Sequence, residues 1–179
     1  MTDRIAVHGA SGSGKSTLAR TLATRLGLER TELDALFHQP GWTELATEEF
    51  RDTVALVVAG DRWVVEGNYH QVRDLVWARA DLVVVLDLPR WTVMRQLFLR
   101  TLRRGVVRDE LWNGNTESLR NLVSTDADRN VVLWSWRTFD RYRAEFPAEA
   151  RVGAAHARVV VLRDRSAVDG LVEELAADG

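Results

Sequence analysis

The chain has 179 residues, a formal net charge of −2 and 28% charged side chains, which suits one globular domain large enough to bury a core. The near-neutral balance excludes a global pull toward DNA or anionic membrane, and the absence of cysteine excludes disulfides, thiolate catalysis and cysteine-ligated zinc. "MTDR" runs straight into an apolar strand without a signal-peptide core, and no apolar run is long enough to span a bilayer, so a soluble cytoplasmic protein is expected.

"RIAVHG" (4–9) reads as a buried strand ending in glycine. Leu18, Leu22 and Leu26 recur every four residues, which predicts a helix over 15–26 stopped by Gly27. "ERTELD" reads as a short second strand reaching Asp34, and 37–46, with Pro40-Gly41, as a loop. Thr47 is placed to cap a helix running to Ala59, with Glu48 and Glu49 in its first turn. "DRWVVEGNY" supplies a third strand and "ADLVVVLDLP" a fourth, with Leu82–Leu86 continuously apolar. Unbroken rather than alternating runs indicate strands covered on both faces, as in a parallel sheet.

Trp91, Met94, Leu97 and Phe98 share a stripe, predicting a helix over 90–104. Residues 105–130 are polar and irregular; 131–146 form an amphipathic helix closed by Pro147. "ARVVVLRDRS" is a fifth strand and 167–177 a terminal helix. Alternation of this kind predicts an α/β fold, a three-layer, doubly wound parallel five-stranded sheet, as one domain over 1–179 with a lid insertion at about 100–130.

Residues Gly9, Ala10, Ser11, Gly12, Ser13, Gly14, Lys15 and Ser16 match G-x-x-x-x-G-K-[ST] between a strand and a helix, the context that confirms a P-loop. Glycines let the backbone curl with its amides inward, and the helix N-terminus adds partial positive charge, so the loop with Thr17 is a polyphosphate cradle. Lys15 is the only lysine in the chain. A compact ammonium on a flexible stem fits the curl to reach the β- and γ-phosphates, where a planar guanidinium would not. The Ser16 hydroxyl is placed to ligate Mg²⁺. Three acids fall near the C-terminal ends of strands, where such sites gather: Asp34, Glu66 and Asp87. Asp34 is expected nearest the transferred phosphoryl group, as base or metal orienter. Glu66 is the second outer-shell candidate for the metal, and Asp87 an acid that satisfies strand-end donors.

"GASGSGKSTLA", "LDALFHQPGW", "WVVEGNY", "LVVVLDLPRW" with its arginine-rich helix, and "VVVLRDRSAVDGLV" occur in that order over most of the chain. In these the sequence resembles the topology modulation proteins, a branch of the adenylate kinase-like P-loop nucleotide kinases. The resemblance implies sheet order 2-3-1-4-5, ATP bound with Mg²⁺, and a mobile helical lid. It also matches the Asp34 region to the acceptor-side acid of small-molecule kinases and the 163–166 loop, with Arg163, to the segment flanking the adenine ring. "EGNY" stands where adenylate kinases carry an Asp-Gly step, but no Pro-Arg follows the glycine here. The arginine that would grip a monophosphate is missing from its usual place, with Arg73 the nearby substitute.

Arg90, Arg95, Arg100, Arg103, Arg104 and Arg108 crowd one helix and its exit. Arg100 and Arg104 sit one turn apart, a repulsion that an anion relieves. They are read as lid cations over the transferred phosphoryl group, with Arg95 beside the nucleotide. Trp42, in the Pro-Gly loop, is read with Asp34 and Arg73 as lining the acceptor, with Trp112 and Asn113 alternatives between acceptor contact and surface packing. Trp63, Trp77, Trp91, Trp134 and Trp136 are read as core or edge packing, and His38 and His70 as solvated loop residues near the site. The leading function is an ATP- and Mg²⁺-dependent kinase with an unidentified small-molecule acceptor. Alternatives are a nucleotide-gated switch or weak ATPase, and a nucleic-acid-associated ATPase working through the arginine patch. No membrane partner is expected, and the chain is read as monomer or homodimer.

Overall fold

The computed structural model describes residues 2–107, 112–115 and 131–177; the side chains of 104–107 and 131 are outside that description. Five parallel strands form the central sheet: β1 (Arg4–Gly9), β2 (Glu29–Glu32), β3 (Trp63–Glu66), β4 (Leu82–Leu86) and β5 (Arg158–Leu162). Their order is 2-3-1-4-5, as the resemblance implies. Helices α1 (Lys15–Leu26), α2 (Leu33–Phe37), α3 (Thr47–Ala59), α4 (Arg73–Arg79), α5 (Arg90–Val107), α6 (Val131–Gly153) and α7 (Arg165–Ala177) complete the three layers.

Strand pleating sorts the core into two clusters. Ile5, Val7, Leu82, Val84 and Leu86 pack with Leu18 and Leu22 of α1 and Leu171 and Val172 of α7. Ala6, Val65, Val83 and Val85 face the other way, toward Phe50 and Val54 of α3, Trp77 of α4, and Phe146 and Ala150 of α6. A third cluster seats α5 through Val93, Met94 and Leu97 against Phe139. No helix among the described residues is long and apolar enough to cross a membrane.

Several boundaries differ from expectation. Strand β2 stops at Glu32 because Leu33 turns into the core (1% exposed), so Asp34 lies in the first turn of a short helix rather than at a strand end. The stretch 37–46 is not a plain loop; His38–Gln39 and Thr43–Glu44 pair as an antiparallel ribbon around a 3₁₀ turn at Pro40–Trp42. Thr47 opens α3 rather than capping it, and β3 ends at Glu66. Helix α5 continues to Val107, and α6 runs through Pro147 to Gly153. The buried stripe Phe139, Phe146 and Ala150 holds α6 together across a residue that costs about 3 kcal/mol in an isolated helix. Helix α7 starts at Arg165, where Asp164 accepts the Ala167 amide as a cap. Trp63 and Trp77 are core residues, but Trp91, Trp134 and Trp136 are exposed.

Candidate active site

Strand β1 delivers the chain into the glycine loop, and α1 begins at Lys15. Gly14 precedes the helix in a left-handed conformation (φ 96°) with no side-chain cap, leaving the first amides of α1 without an internal side-chain acceptor. Gly12 (φ 86°) is fixed by packing as well: a β-carbon there would lie 2.7 Å from Leu97 Cβ and 2.8 Å from the Val93 carbonyl. Helix α5 thus serves as the bed of the loop. Lys15 Nζ donates to the Ala10 carbonyl at 3.3 Å, across the curl. Burial lowers its pKa, opposed by the charges of Asp34, Glu66 and Glu32. The Ser13 hydroxyl is buried without a partner among the described residues. Uncapped amides, a lysine folded into the curl and an orphaned hydroxyl are a donor set that suits a polyphosphate.

Ser16 Oγ donates to Glu32 Oε1 at 3.4 Å, bringing to the site a carboxylate that the sequence alone did not mark. Parallel register sets Glu32 beside Glu66 on adjacent strands, and Arg30 joins them, bonding Glu66 through Nε at 2.9 Å and through Nη2, and reaching Glu32 at 3.2 Å. The signal was available, since two acids that end neighbouring parallel strands share one edge of the sheet. Glu66 is 2% exposed, and burial raises its pKa although Ser16 and Arg30 oppose the shift. Among the described residues no group of three or more His, Asp or Glu side chains could hold a metal ion by itself. A hard divalent cation there would depend on Ser16, on phosphate oxygens and on waters anchored by Glu32 and Glu66, a donor set that suits Mg²⁺.

The tetrapeptide Glu66–Tyr69 touches a different part of the site at each residue. Gly67, in a left-handed conformation (φ 142°), donates to the Val7 carbonyl at 3.2 Å, and a β-carbon on it would lie 2.8 Å from Leu33 Cβ. Its carbonyl meets Nδ1 of His8 at 2.6 Å, while Trp77 Nε1 donates to His8 Nε2 at 3.0 Å. Those partners make Nδ1 the protonated nitrogen and the ring neutral; burial lowers the His8 pKa to about 3. Asn68 grips both backbone groups of Gly9, donating to its carbonyl at 2.7 Å and accepting from its amide at 3.3 Å, and Tyr142 of α6 donates to the same amide oxygen at 3.4 Å. Tyr69 donates to Asp34 Oδ1 at 2.7 Å and lies 3.3 Å from His38 Nε2. In the sequence Asn68 and Tyr69 stand out only as part of "EGNY", and Tyr142 carries no signal.

The arginines divide. Arg100 reaches the loop, its Nη2 donating to Ser11 Oγ at 3.1 Å. Arg95 is exposed on α5, in a surface hollow with Trp91 and Leu99. Arg90 turns inward to Asp140 at 2.6 Å and lies over the Trp136 ring at 4.6 Å. The Arg104 side chain, Arg108 and most of the 100–130 lid lie outside the described residues. Arg163 and Arg143 hold Asp87 at 3.4 and 2.9 Å, so that acid serves arginines rather than only strand-end donors. Arg73 is engaged by Glu149 at 2.5 Å and lies 4.6 Å over the Phe146 ring.

Residues Trp112–Asn115 clasp the ribbon of 38–44. Asn113 donates to the carbonyls of Ala35 (3.2 Å) and His38 (2.6 Å); Asn115, 3% exposed, donates to Gln39 O at 2.9 Å and accepts from the Trp42 amide at 2.9 Å. Trp42 sits in a left-handed conformation (φ 60°), its ring against half-buried His38. His38 also stacks on Trp112, so it is not a solvated loop residue.

Residues 5–161 match the AAA domain family. Shikimate kinase from Bacteroides thetaiotaomicron is similar in structure, with 15% identity, 99% of this chain and 98% of that one covered, and a TM-score of 0.58. Shikimate kinase from Acinetobacter baumannii in complex with shikimate follows at 18% identity, 98% and 91% coverage and a TM-score of 0.52. A gluconokinase from Sinorhizobium meliloti gives 17% identity, 99% and 98% coverage and a TM-score of 0.51. At such identities the likeness speaks to the fold, which is that of P-loop kinases. No curated protein matches the sequence.

Proposed function

The chain belongs to the AAA domain family, and from that premise we propose that it is a Mg²⁺-dependent phosphotransferase moving the γ-phosphoryl group of ATP to a small-molecule hydroxyl. One observation carries the reading: two carboxylates whose charges act on the P-loop lysine have separate partners. Glu32 faces the Ser16 hydroxyl, whereas Asp34, whose charge Lys15 feels most strongly of its neighbouring acids, is oriented by Tyr69. A hydrolytic switch needs an acid for the metal; a second acid, held apart from it, suits a base for an acceptor hydroxyl.

In this reading the acceptor oxygen bonds to the γ-phosphorus as the bond from that phosphorus to the β,γ-bridging oxygen breaks. The hydroxyl proton passes to Asp34, and ADP departs. Lys15 and the loop amides hold the phosphates, with Gly9, Gly12 and Gly14 shaping the curl. Arg100 balances charge on the transferred group, joined by Arg104 from a lid over about 100–130. Bound Mg²⁺ would neutralise phosphate charge, oriented through Ser16, Glu32 and Glu66. Arg95 and Arg163 are assigned to the nucleotide, and Trp42 and Arg73 to the acceptor's surroundings. One domain over 1–179 and a place among the topology modulation proteins belong to the same proposal. ATP consumption over a panel of nucleosides, monophosphates and small alcohols tests it. Acceptor-stimulated turnover supports the kinase. Basal hydrolysis indifferent to every acceptor would contradict it and favour the switch, and stimulation by DNA would favour the nucleic-acid reading.

A further inference from the structure

Beside the loop lies a cleft of about 470 Å³, bounded by Ala10, Ser11, Asn68 and one face of α6. Its size matches a small-molecule site. Four fully charged side chains line it, and they cancel in pairs: Arg73 with Glu149 at 2.5 Å, and Arg141 with Glu145 at 3.0 Å. Arg73 is further committed to the Phe146 and Trp77 rings, at 4.6 and 5.2 Å. An anion binding Arg73 would have to take it from Glu149 and leave that carboxylate unpaired, whereas Arg141 and Glu145 are an exposed pair within α6 that contributes little either way. The remaining lining is rich in rings, with Trp134, Phe139, Tyr142 and Phe146 along α6. Ser135 also lines the cleft; it is 2% exposed, and its hydroxyl has no hydrogen-bond partner among the described residues. A buried hydroxyl with nothing to bond is a place where a ligand hydroxyl gains a partner.

We propose that this cleft takes the phosphoryl acceptor, and that the acceptor is an uncharged, hydroxylated ring compound rather than a monophosphate or a carboxylate. The inference rests on the phosphotransferase reading for the ligand's fate, but the cleft's preference for uncharged rings stands on its own lining. Trp134, exposed at the cleft, receives the ring face, Ser135 meets a hydroxyl, and the Arg73–Glu149 pair discriminates against anions. The transfer step is the one balanced above; Asp34 does not itself line the cleft and connects to it through its hydrogen bond to Tyr69, the chain neighbour of the lining residue Asn68. Two sources share this chemistry, a nucleoside and a free sugar or cyclitol.

Calorimetric titration of the full chain, with Mg²⁺ and ADP present, separates them. The probes are adenosine, guanosine and cytidine; glucose, ribose and myo-inositol; and the anionic AMP, CMP, gluconate and shikimate. The expected result is binding of a member of one uncharged set at least tenfold tighter than its anionic counterpart. Trp134→Ala should weaken that binding at least tenfold, and Glu149→Gln, which releases Arg73, should narrow the discrimination at least tenfold. Which uncharged set binds identifies the source. Anions bound as tightly as their uncharged counterparts, no heat from any uncharged compound, or discrimination unchanged in Glu149→Gln would each overturn the proposal. The readout is binding, so an uncharged compound that binds without being phosphorylated counts against the phosphotransferase alone.

Discussion

Tyr69 donates a 2.7 Å hydrogen bond to Asp34 Oδ1, tying the residue three positions past the end of β3 to the first turn of α2. The phenol is pushed toward its neutral form by burial and by the Asp34 charge, so it remains a donor throughout the physiological range. This bond fixes where the acid that is assigned the acceptor proton can point.

Tyr69→Phe keeps the ring packed between Phe37 and Phe50 and deletes only the hydroxyl. A hydrogen bond to a charged group is worth about 1.5–3 kcal/mol, so kcat should fall by about tenfold or more. ATP affinity, measured by calorimetry, should stay within about twofold, since Tyr69 does not touch the P-loop lysine. Equal losses in both would make Tyr69 a general structural support.

Glu32→Gln and Glu66→Gln should differ in kind. Loss of Glu32 should raise the Mg²⁺ concentration needed for half-maximal turnover by about tenfold, with little change in stability. Loss of Glu66 leaves Arg30 with only Glu32, and breaking so buried a pair should cost about 3 kcal/mol in denaturant unfolding. Matched Mg²⁺ titrations and urea curves check both.

Much of the fold was legible because apolar runs on β1, β3 and β4 and the four-residue leucine spacing of α1 are local signals that the tertiary structure reinforces. The P-loop was legible for the same reason, a fixed spacing that carries its own geometry. The rest depends on meetings across the chain. Glu32 and Glu66 become neighbours only through sheet register, Asn68 reaches Gly9 from 59 positions away, and Tyr142 completes that contact from α6. The continuation of α6 past Pro147 likewise needed the knowledge that Phe146 and Ala150 face one core. Side-chain amides that replace strand pairing, as Asn113 and Asn115 do along 35–42, leave no periodicity to read.

Acid should destabilise the fold through His8. Its folded pKa is about 3, below its ordinary value near 6.5, so the unfolded chain binds the extra proton first. Stability is then complete above pH 6.5 and declines as pH falls from there toward 3, by about 1.4 kcal/mol per pH unit, or about 2 kcal/mol at pH 5. Urea unfolding at pH 7 and pH 5 measures the slope. His8→Gln should flatten it over that interval; an unchanged slope would assign the effect elsewhere.

Asn115→Ala should release the clasp without unfolding the core. The Trp42 amide loses its acceptor, so its hydrogen exchange should accelerate at least tenfold while amides in β1 and β4 keep their protection. Uniform acceleration across the sheet would mean that Asn115 supports global stability instead.

In the proposed reaction Lys15 and Asp34 act on the same phosphoryl group, one holding it and the other taking the proton of the attacking hydroxyl. Phosphorus NMR of the protein with Mg²⁺, ATP and the acceptor panel tests this most directly. A phosphomonoester signal is expected that is absent in Lys15→Ala and reduced by about 10²–10⁴-fold in Asp34→Asn, while Asp34→Asn still binds ATP within about twofold of the unaltered chain. ADP and inorganic phosphate with no phosphomonoester for any acceptor, formed equally fast in Asp34→Asn, would rule it out.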